Sequence, residues 1–254
     1  VRSCGVSHRS PQGLGGAPLW DPTAIPAATV IVVREPSRGA RRDGLEVLML
    51  RRDSSLSFAA GAWVFPGGRI DPEDLAGDAG PEAAARVAAV REAAEEAGLG
   101  LEPDLLRRWS HWTPHPDSPR RRFSTAFFVA PLPSGAAEVR IDDQEIREHR
   151  WLQPSEVLEA RDAGEVVLAP PTYVTLVQLA EHGDVAALMD AAEGRGVDRP
   201  IEHFSTRYAT RTESEDEIVG LYHGDAGYDT ADATVEGPRH RLRMGPTWRY
   251  ERDL

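Results

Sequence analysis

Apolar residues first run together at ATVIVVRE (28–35), a stretch apolar enough to predict a strand covered on both faces. LEVLMLRR (45–52) repeats the pattern after the turn-forming ARRDG (40–44), which predicts an antiparallel hairpin. GAWVFPGG (61–68) predicts a short strand ending in a Pro-Gly-Gly break, and RIDPEDLAGDAG an acidic loop. Pro81 suits a helix's first turn and Gly98 the position just past its end, so residues 81–97 form the best-bounded helix. At 100° per residue, Ala83, Val87, Val90, Ala94 and Ala97 fall on one face, and Glu92, Glu95 and Glu96 centre opposite it. Strands are further predicted at 123–132 and 149–152, a short helix at 154–164, and a helical pair over 170–192 broken near Gly183. The tail carries weaker β-like pieces, EIVGLYHG and HRLRM, and no internal repeat is present. Residues 1–24, rich in Gly, Pro and Ser, read as a flexible leader. Residues 25–165 then form the main domain, and 166–254 a C-terminal helical and β extension packed on it.

Composition narrows the class. The 254 residues can bury a full core, and no apolar run approaches the roughly 18 residues a spanning helix needs. No signal-peptide pattern opens the chain, so the expected location is cytoplasmic. The single cysteine, Cys4, excludes an internal disulfide framework and a cysteine-based zinc site. A net charge of −12 speaks against nonspecific binding to nucleic acid or anionic membrane. Every basic residue is arginine, which excludes a lysine nucleophile.

VREAAEEAG (90–98) then poses a physical problem. Glutamates at i, i+3 and i+4 are neighbours on a helix and repel one another unless a cation sits among them. They are otherwise simply a solvated face. The surrounding segment, GAWVFPGGRIDPEDLAGDAGPEAAARVAAVREAAEEAGL (61–99), resembles the Nudix hydrolase family in Arg91, Glu92, Glu95, Glu96, Gly98 and Leu99. It departs from that family's box where Asp74 replaces a glutamate, where sixteen residues instead of seven precede Arg91, and where Ala93 is smaller than usual. The FPGG lead-in, WTPHPDSPRRRFSTAFFVAPLP (112–133), the spacing from Glu145 to Trp151, LAPPTYVTLVQLA (168–180) and GPRHRLRM (237–244) resemble the nudix-type motif 19 branch.

The resemblance implies an α/β fold, a Nudix-type α/β/α sandwich with a mixed sheet. It implies a pyrophosphohydrolase using Mg²⁺ or Mn²⁺, with Glu92, Glu95 and Glu96 as metal ligands beside Gly68, and with Arg91 and Glu95 among the catalytic residues. A hard divalent cation held by a few carboxylates and by substrate phosphates would cancel the repulsion in the trio. Glu145 has two readings, an extra ligand or base toward the attacking water, and a solvated loop acid. Arg120, Arg121 and Arg122 read either as a guanidinium fork for phosphate or as an exposed basic turn; Phe123 either stacks on a base or packs in the core. Asp71 and Asp74 read as loop support for the glutamate helix.

LMLRRDSSLSFAAGAWVFPGG (48–68) keeps the frame of a motif found in coenzyme A-cleaving members, with Arg52, Gly61 and Phe65 to Gly68 at its intervals. Asp53 stands in place of a small residue and Ser57 in place of a second arginine. The expected partner is a small-molecule nucleoside diphosphate derivative bound near Arg52, with coenzyme A or acyl-coenzyme A slightly preferred. ADP-ribose or another ADP-containing diphosphate, or nucleotide sensing without turnover, stays open, as does homodimer formation.

Overall fold

The computed structural model describes residues 21–36, 44–54, 60–75, 80–117, 122–132, 138–141 and 145–253. The described elements run β1 (Ile25–Arg34), β2 (Glu46–Arg52), β3 (Trp63–Val64), β4 (Gly67–Arg69), α1 (Gly80–Ala97), β5 (Arg107–Pro114), β6 (Phe123–Pro131) and β7 (Ile146–Leu152). They continue with α2 (Pro154–Asp162), α3 (Pro170–Leu179), α4 (Val185–Glu193), β8 (Glu202–Tyr208), β9 (Ile218–Leu221), β10 (Arg239–Met244) and β11 (Trp248–Asp253). The strands join in the order β11-β10-β9-β8-β5-β6-β1-β2-β3, with β4 on β1 and β7 on β2. β1 pairs with β6 and β5 with β8 in parallel, while the other pairings are antiparallel, so the sheet is mixed.

The apolar runs are continuous because both faces of the central sheet are covered. Val30, Val32, Leu48 and Leu50 point to one side, where the alanines of α1 pack on them. Ile31, Val33, Val47 and Met49 point to the other, against Val157 of α2, Val174 and Leu176 of α3, and Leu188 of α4. This is the expected α/β/α layering.

Three expectations change. The short strand does end before Pro66, as β3, but the glycines are not a loop: Gly67–Arg69 is itself β4, paired with Ala27 to Thr29. Its pairing is close because Gly67 has no Cβ, and one placed there would lie 2.6 Å from the Ala28 carbonyl oxygen and 2.8 Å from Thr29 Cα. β5, β8 and β11 were not expected as strands. β5 carries Arg108, Ser110 and His111 in its buried stretch, where an apolar alternation would normally mark the strand. The tail residues of β8 to β11 extend the central sheet itself, joined to it through β5. Among the described residues no helix is long and apolar enough to cross a membrane.

The extension is pinned by a fully buried ion pair. Asp225 accepts from Arg241 Nε (2.7 Å) and Nη2 (2.6 Å), and from the backbone N–H groups of His240 (2.9 Å) and Gly227 (2.8 Å). Burial pushes the Asp225 pKa up, but these hydrogen bonds outweigh it and hold the carboxyl below its ordinary 3.8. A depressed carboxyl adds stability above the unfolded value and loses it as pH falls through the folded one. Asp225→Ala, which strands Arg241 in the core, should therefore cost about 3–5 kcal/mol in denaturant unfolding at neutral pH. It should also remove part of the stability that the parent loses below about pH 4.

Candidate functional site

The site begins with the way α1 meets the sheet. Its buried residues are Ala84, Ala85, Ala88, Ala89, Ala93, Glu96 and Ala97, whereas Val87 is exposed. The expected face built on Val87, Val90 and Ala94 is thus rotated, and the glutamates do not stand opposite the core. Small side chains let the helix axis approach the strands closely, and that approach selects the alanine face over the one with larger side chains. Ala93 suits this contact, being wholly buried under the helix. Gly98 closes α1 at φ +65°, its N–H donating to the Ala94 carbonyl at 3.0 Å.

Rotation brings the three glutamates into three environments. Glu96 lies inward, 6% exposed, and accepts from the Gly67 N–H at 3.0 Å. Glu92 is half-buried over Gly68, where an added Cβ would fall inside van der Waals contact with its carboxylate. Glu95 is 60% exposed and pairs with Arg91 at 3.1 Å. Burial first, then repulsion from Glu92 and Glu145, pushes the Glu96 pKa up to about 8, against the Gly67 N–H and Arg52. Glu92 is raised as well, chiefly by burial, with Arg91 opposing.

Arg91 is the strut of this arrangement. Its Nη2 donates to Asp74 Oδ2 (2.9 Å) and to the Arg69 carbonyl (2.9 Å), its Nε reaches Asp74 Oδ1 (3.2 Å), and its Nη1 reaches Glu92 (2.9 Å). These hydrogen bonds raise the guanidinium's pKa above its ordinary value, the Asp74 bond foremost. Asp74, buried in a short 3₁₀ turn, also accepts from the Asp71 N–H at 2.8 Å. The aspartate that departs from the family pattern is therefore a loop anchor for α1.

Beside Glu96 opens a cleft of about 240 Å³, mostly apolar, with Phe65, Trp112, Phe123 and Phe127 in its wall and Arg52 and Gly67 at its polar end. Arg52 Nη2 donates to Glu145 Oε2 at 3.0 Å and its Nη1 lies 3.7 Å from Glu96. Arg52 Nε is buried without a hydrogen-bond partner among the described residues. Arg52 thus links Glu145 to Glu96, although Glu145 lies 93 positions further along the chain than Arg52. Glu148 is engaged elsewhere, on Arg51 and Arg150; burial would raise its pKa, but those two partners lower it. Asp53 pairs with Arg147, which gives that departure a structural role.

Of the arginine run, Arg120 and Arg121 lie outside the described residues. Arg122 donates to Asp21, to Thr23 Oγ1 (2.8 Å) and to the Pro114 carbonyl (3.0 Å). Its guanidinium is engaged on protein oxygens and ties the start of β1 to the end of β5. Phe123 stands at the cleft wall. Sequence reading missed Trp112, Thr113, Phe127 and Pro171 in that wall; the aromatic spacing of β5 and β6 was the available signal.

The donor set suits a hard divalent cation in part. Glu92 and Glu96 repel each other in a buried setting, and an ion between them would relieve that strain. Among the described residues, however, no three acidic or imidazole groups converge closely enough to enclose an ion. Two carboxylates with one side left open match an ion that completes its shell with water and substrate phosphate.

With this geometry in place, comparison with known proteins is informative. The NUDIX domain family model matches residues 24–169. The chain is 26% identical over 261 residues to nudix hydrolase 7 of Caenorhabditis elegans, covering 87% of this chain and 81% of that protein. It is 26% identical over 255 residues to the human acyl-coenzyme A diphosphatase NUDT19, covering 64% of this chain and 68% of that protein. A solved NUDIX hydrolase from Alicyclobacillus acidocaldarius matches with a TM-score of 0.57 and 26% identity, over 66% of this chain and 96% of that one.

Proposed function

Because the chain belongs to the Nudix family, matched over residues 24–169, we propose that it hydrolyses the diphosphate of coenzyme A or an acyl-coenzyme A, with Mg²⁺ or Mn²⁺ as cofactor. That it is a Nudix pyrophosphohydrolase of the motif 19 type follows from its family and relatives; the substrate and cofactor are our reading. The observation that carries it is the cleft, whose largely apolar and aromatic wall includes Arg52 and Gly67, the two residues that contact Glu96, with Arg52 also pairing with Glu145. A ligand with a diphosphate joined to a long, largely uncharged arm complements such a shape. The human relative named an acyl-coenzyme A diphosphatase supports the same direction.

In this reading Glu92 and Glu96 hold the divalent cation, with Glu95 at the exposed edge under the control of Arg91. When bound, the cation screens phosphate charge and lowers the pKa of a bound water. Arg52 offers its guanidinium to a phosphate oxygen, and Gly67 and Gly68 let β4 lie close against β1 and beneath Glu92. Glu145, 54% exposed and steadied by Arg52, accepts the proton as water attacks phosphorus. The P–O–P bond breaks, leaving 3′,5′-ADP and a 4′-phosphopantetheine product. Phe123 packs on the substrate at the cleft wall.

The test is turnover of coenzyme A, acyl-coenzyme A and ADP-ribose with Mg²⁺ or Mn²⁺, products identified by mass. Strong hydrolysis of ADP-ribose with none of coenzyme A or its thioesters would overturn the substrate assignment. Glu145→Gln should lower turnover by about 10²-fold with little change in KM. Glu148→Gln should leave both near the parent, and equal effects from the two variants would remove Glu145 from its role.

A further inference from the structure

A second cavity, of about 270 Å³, lies at the opposite end of α3 from the cleft. Pro171 and Thr172 at the start of α3 line the cleft, whereas Gln178, with Glu181 and His182 just beyond the helix, line this one. Trp109 of β5, Arg195 just after α4, and Tyr250 and Arg252 of β11 complete its wall. The wall is rigid. Gln178 accepts from Trp109 Nε1 at 3.0 Å and donates to Glu202 at 2.9 Å.

Arg195 sits over the Trp109 indole, its guanidinium carbon 3.7 Å from the ring centre, and Nη1 donates to the Trp109 carbonyl at 2.9 Å. Its Nε and Nη2 have no hydrogen-bond acceptor among the described residues. Two carboxylates stand near the two guanidiniums. Glu202 lies 2.9 Å from Arg252 Nη1 and 4.0 Å from Arg195 Nη1, so one half-buried carboxylate serves two guanidiniums. Glu181 is exposed at the rim. Burial, reinforced by Arg199 and Arg252 against the pull of Glu202, lowers the Arg195 pKa to about 10. His182 is depressed too, by burial and then by Arg195 and Arg199, with Glu181 opposing. A guanidinium held over an indole with one edge free toward a polar cavity is a ready receptor for an oxyanion.

We propose that this cavity binds a phosphate group, free or as a small monoester, through Nε and Nη2 of Arg195 with Arg252 and His182 beside it. The site is separate from the cleft and does not depend on which diphosphate the enzyme cleaves. Calorimetric titration of the metal-free full chain with inorganic phosphate, at ionic strength held constant with chloride, tests it. Phenyl phosphate in a parallel run separates a monoester ligand from the free ion. Saturable binding is expected, weakened about tenfold or more in Arg195→Gln and in Arg252→Gln. If Arg195→Gln fails to fold, Arg252→Gln decides alone, since that side chain is 46% exposed and its loss leaves the core packing intact. Absence of saturable binding of either ligand, or binding that survives Arg252→Gln undiminished, would overturn the proposal.

Discussion

Glu96→Gln will lower turnover by about two orders of magnitude or more, yet leave the metal-free protein more stable than its parent at alkaline pH. The first effect follows from the place of Glu96 between the Gly67 N–H, Glu92 and Arg52 at the polar end of the cleft. Removing one group that handles transition-state charge costs on this scale. The second effect follows from linkage. Burial raises the folded pKa of Glu96 from an ordinary 4.5 to about 8, so the folded chain keeps a proton that the unfolded chain releases. Stability contributed by this group is full below about pH 4.5 and is lost as pH climbs through about 8. Glutamine carries no ionising group and escapes that loss. Melting curves in a chelator at pH 6 and pH 9, with turnover measured in saturating Mg²⁺, check both halves. A variant that is inactive and also less stable at pH 9 would mean that Glu96 is held by favourable contacts rather than by function.

Gly67→Ala and Gly68→Ala should fail in different ways. At Gly67 the added methyl meets backbone, the Ala28 carbonyl at 2.6 Å and Thr29 Cα at 2.8 Å, and neither can step aside without opening the β1–β4 pairing. Overpacking of this kind costs about 1–3 kcal/mol, and the loss will appear in denaturant unfolding. At Gly68 the methyl meets only the carboxylate of Glu92, the far end of a flexible side chain. The fold should survive while Glu92 is turned away from Glu96, lowering turnover about 10–100-fold, as when a ligand's orientation is disturbed. Unfolding midpoints and kcat for the pair distinguish the two. Comparable stability loss in both would show that Gly68 is a packing residue and nothing more.

These outcomes also mark how far the sequence could be read. The layered α/β architecture was legible because ATVIVVRE and LEVLMLRR are apolar on both faces, and the helix over 81–97 was legible from its Pro and Gly boundaries. The phase of α1 was not. Its apolar residues are nearly all alanine, so the contrast between faces is weak, and Val87 and Val90 drew the expected face toward what is in fact solvent or the margin. β5 was hidden because its core positions hold Arg108 and His111, satisfied by contacts with Glu82, Ser110 and Ser124 that no local pattern announces. The link between Glu145 and Arg52, and the clamp of Arg122 on Asp21 and Thr23, depend on chain segments far apart in sequence. Asp74 looked like a weakened family position; only its two bonds to Arg91 across the insertion show what it holds.

In the proposed mechanism Glu92 and Glu96, with Glu145 linked through Arg52, hold the divalent metal beside the cleft. Direct Mn²⁺ binding tests it, read from the loss of the free-ion paramagnetic resonance signal at pH 8 with the parent, Glu92→Gln, Glu96→Gln and Glu148→Gln. The account predicts saturable binding in the parent and in Glu148→Gln, and binding weakened at least about tenfold in Glu92→Gln and Glu96→Gln. Undiminished Mn²⁺ affinity in both of the latter would contradict it.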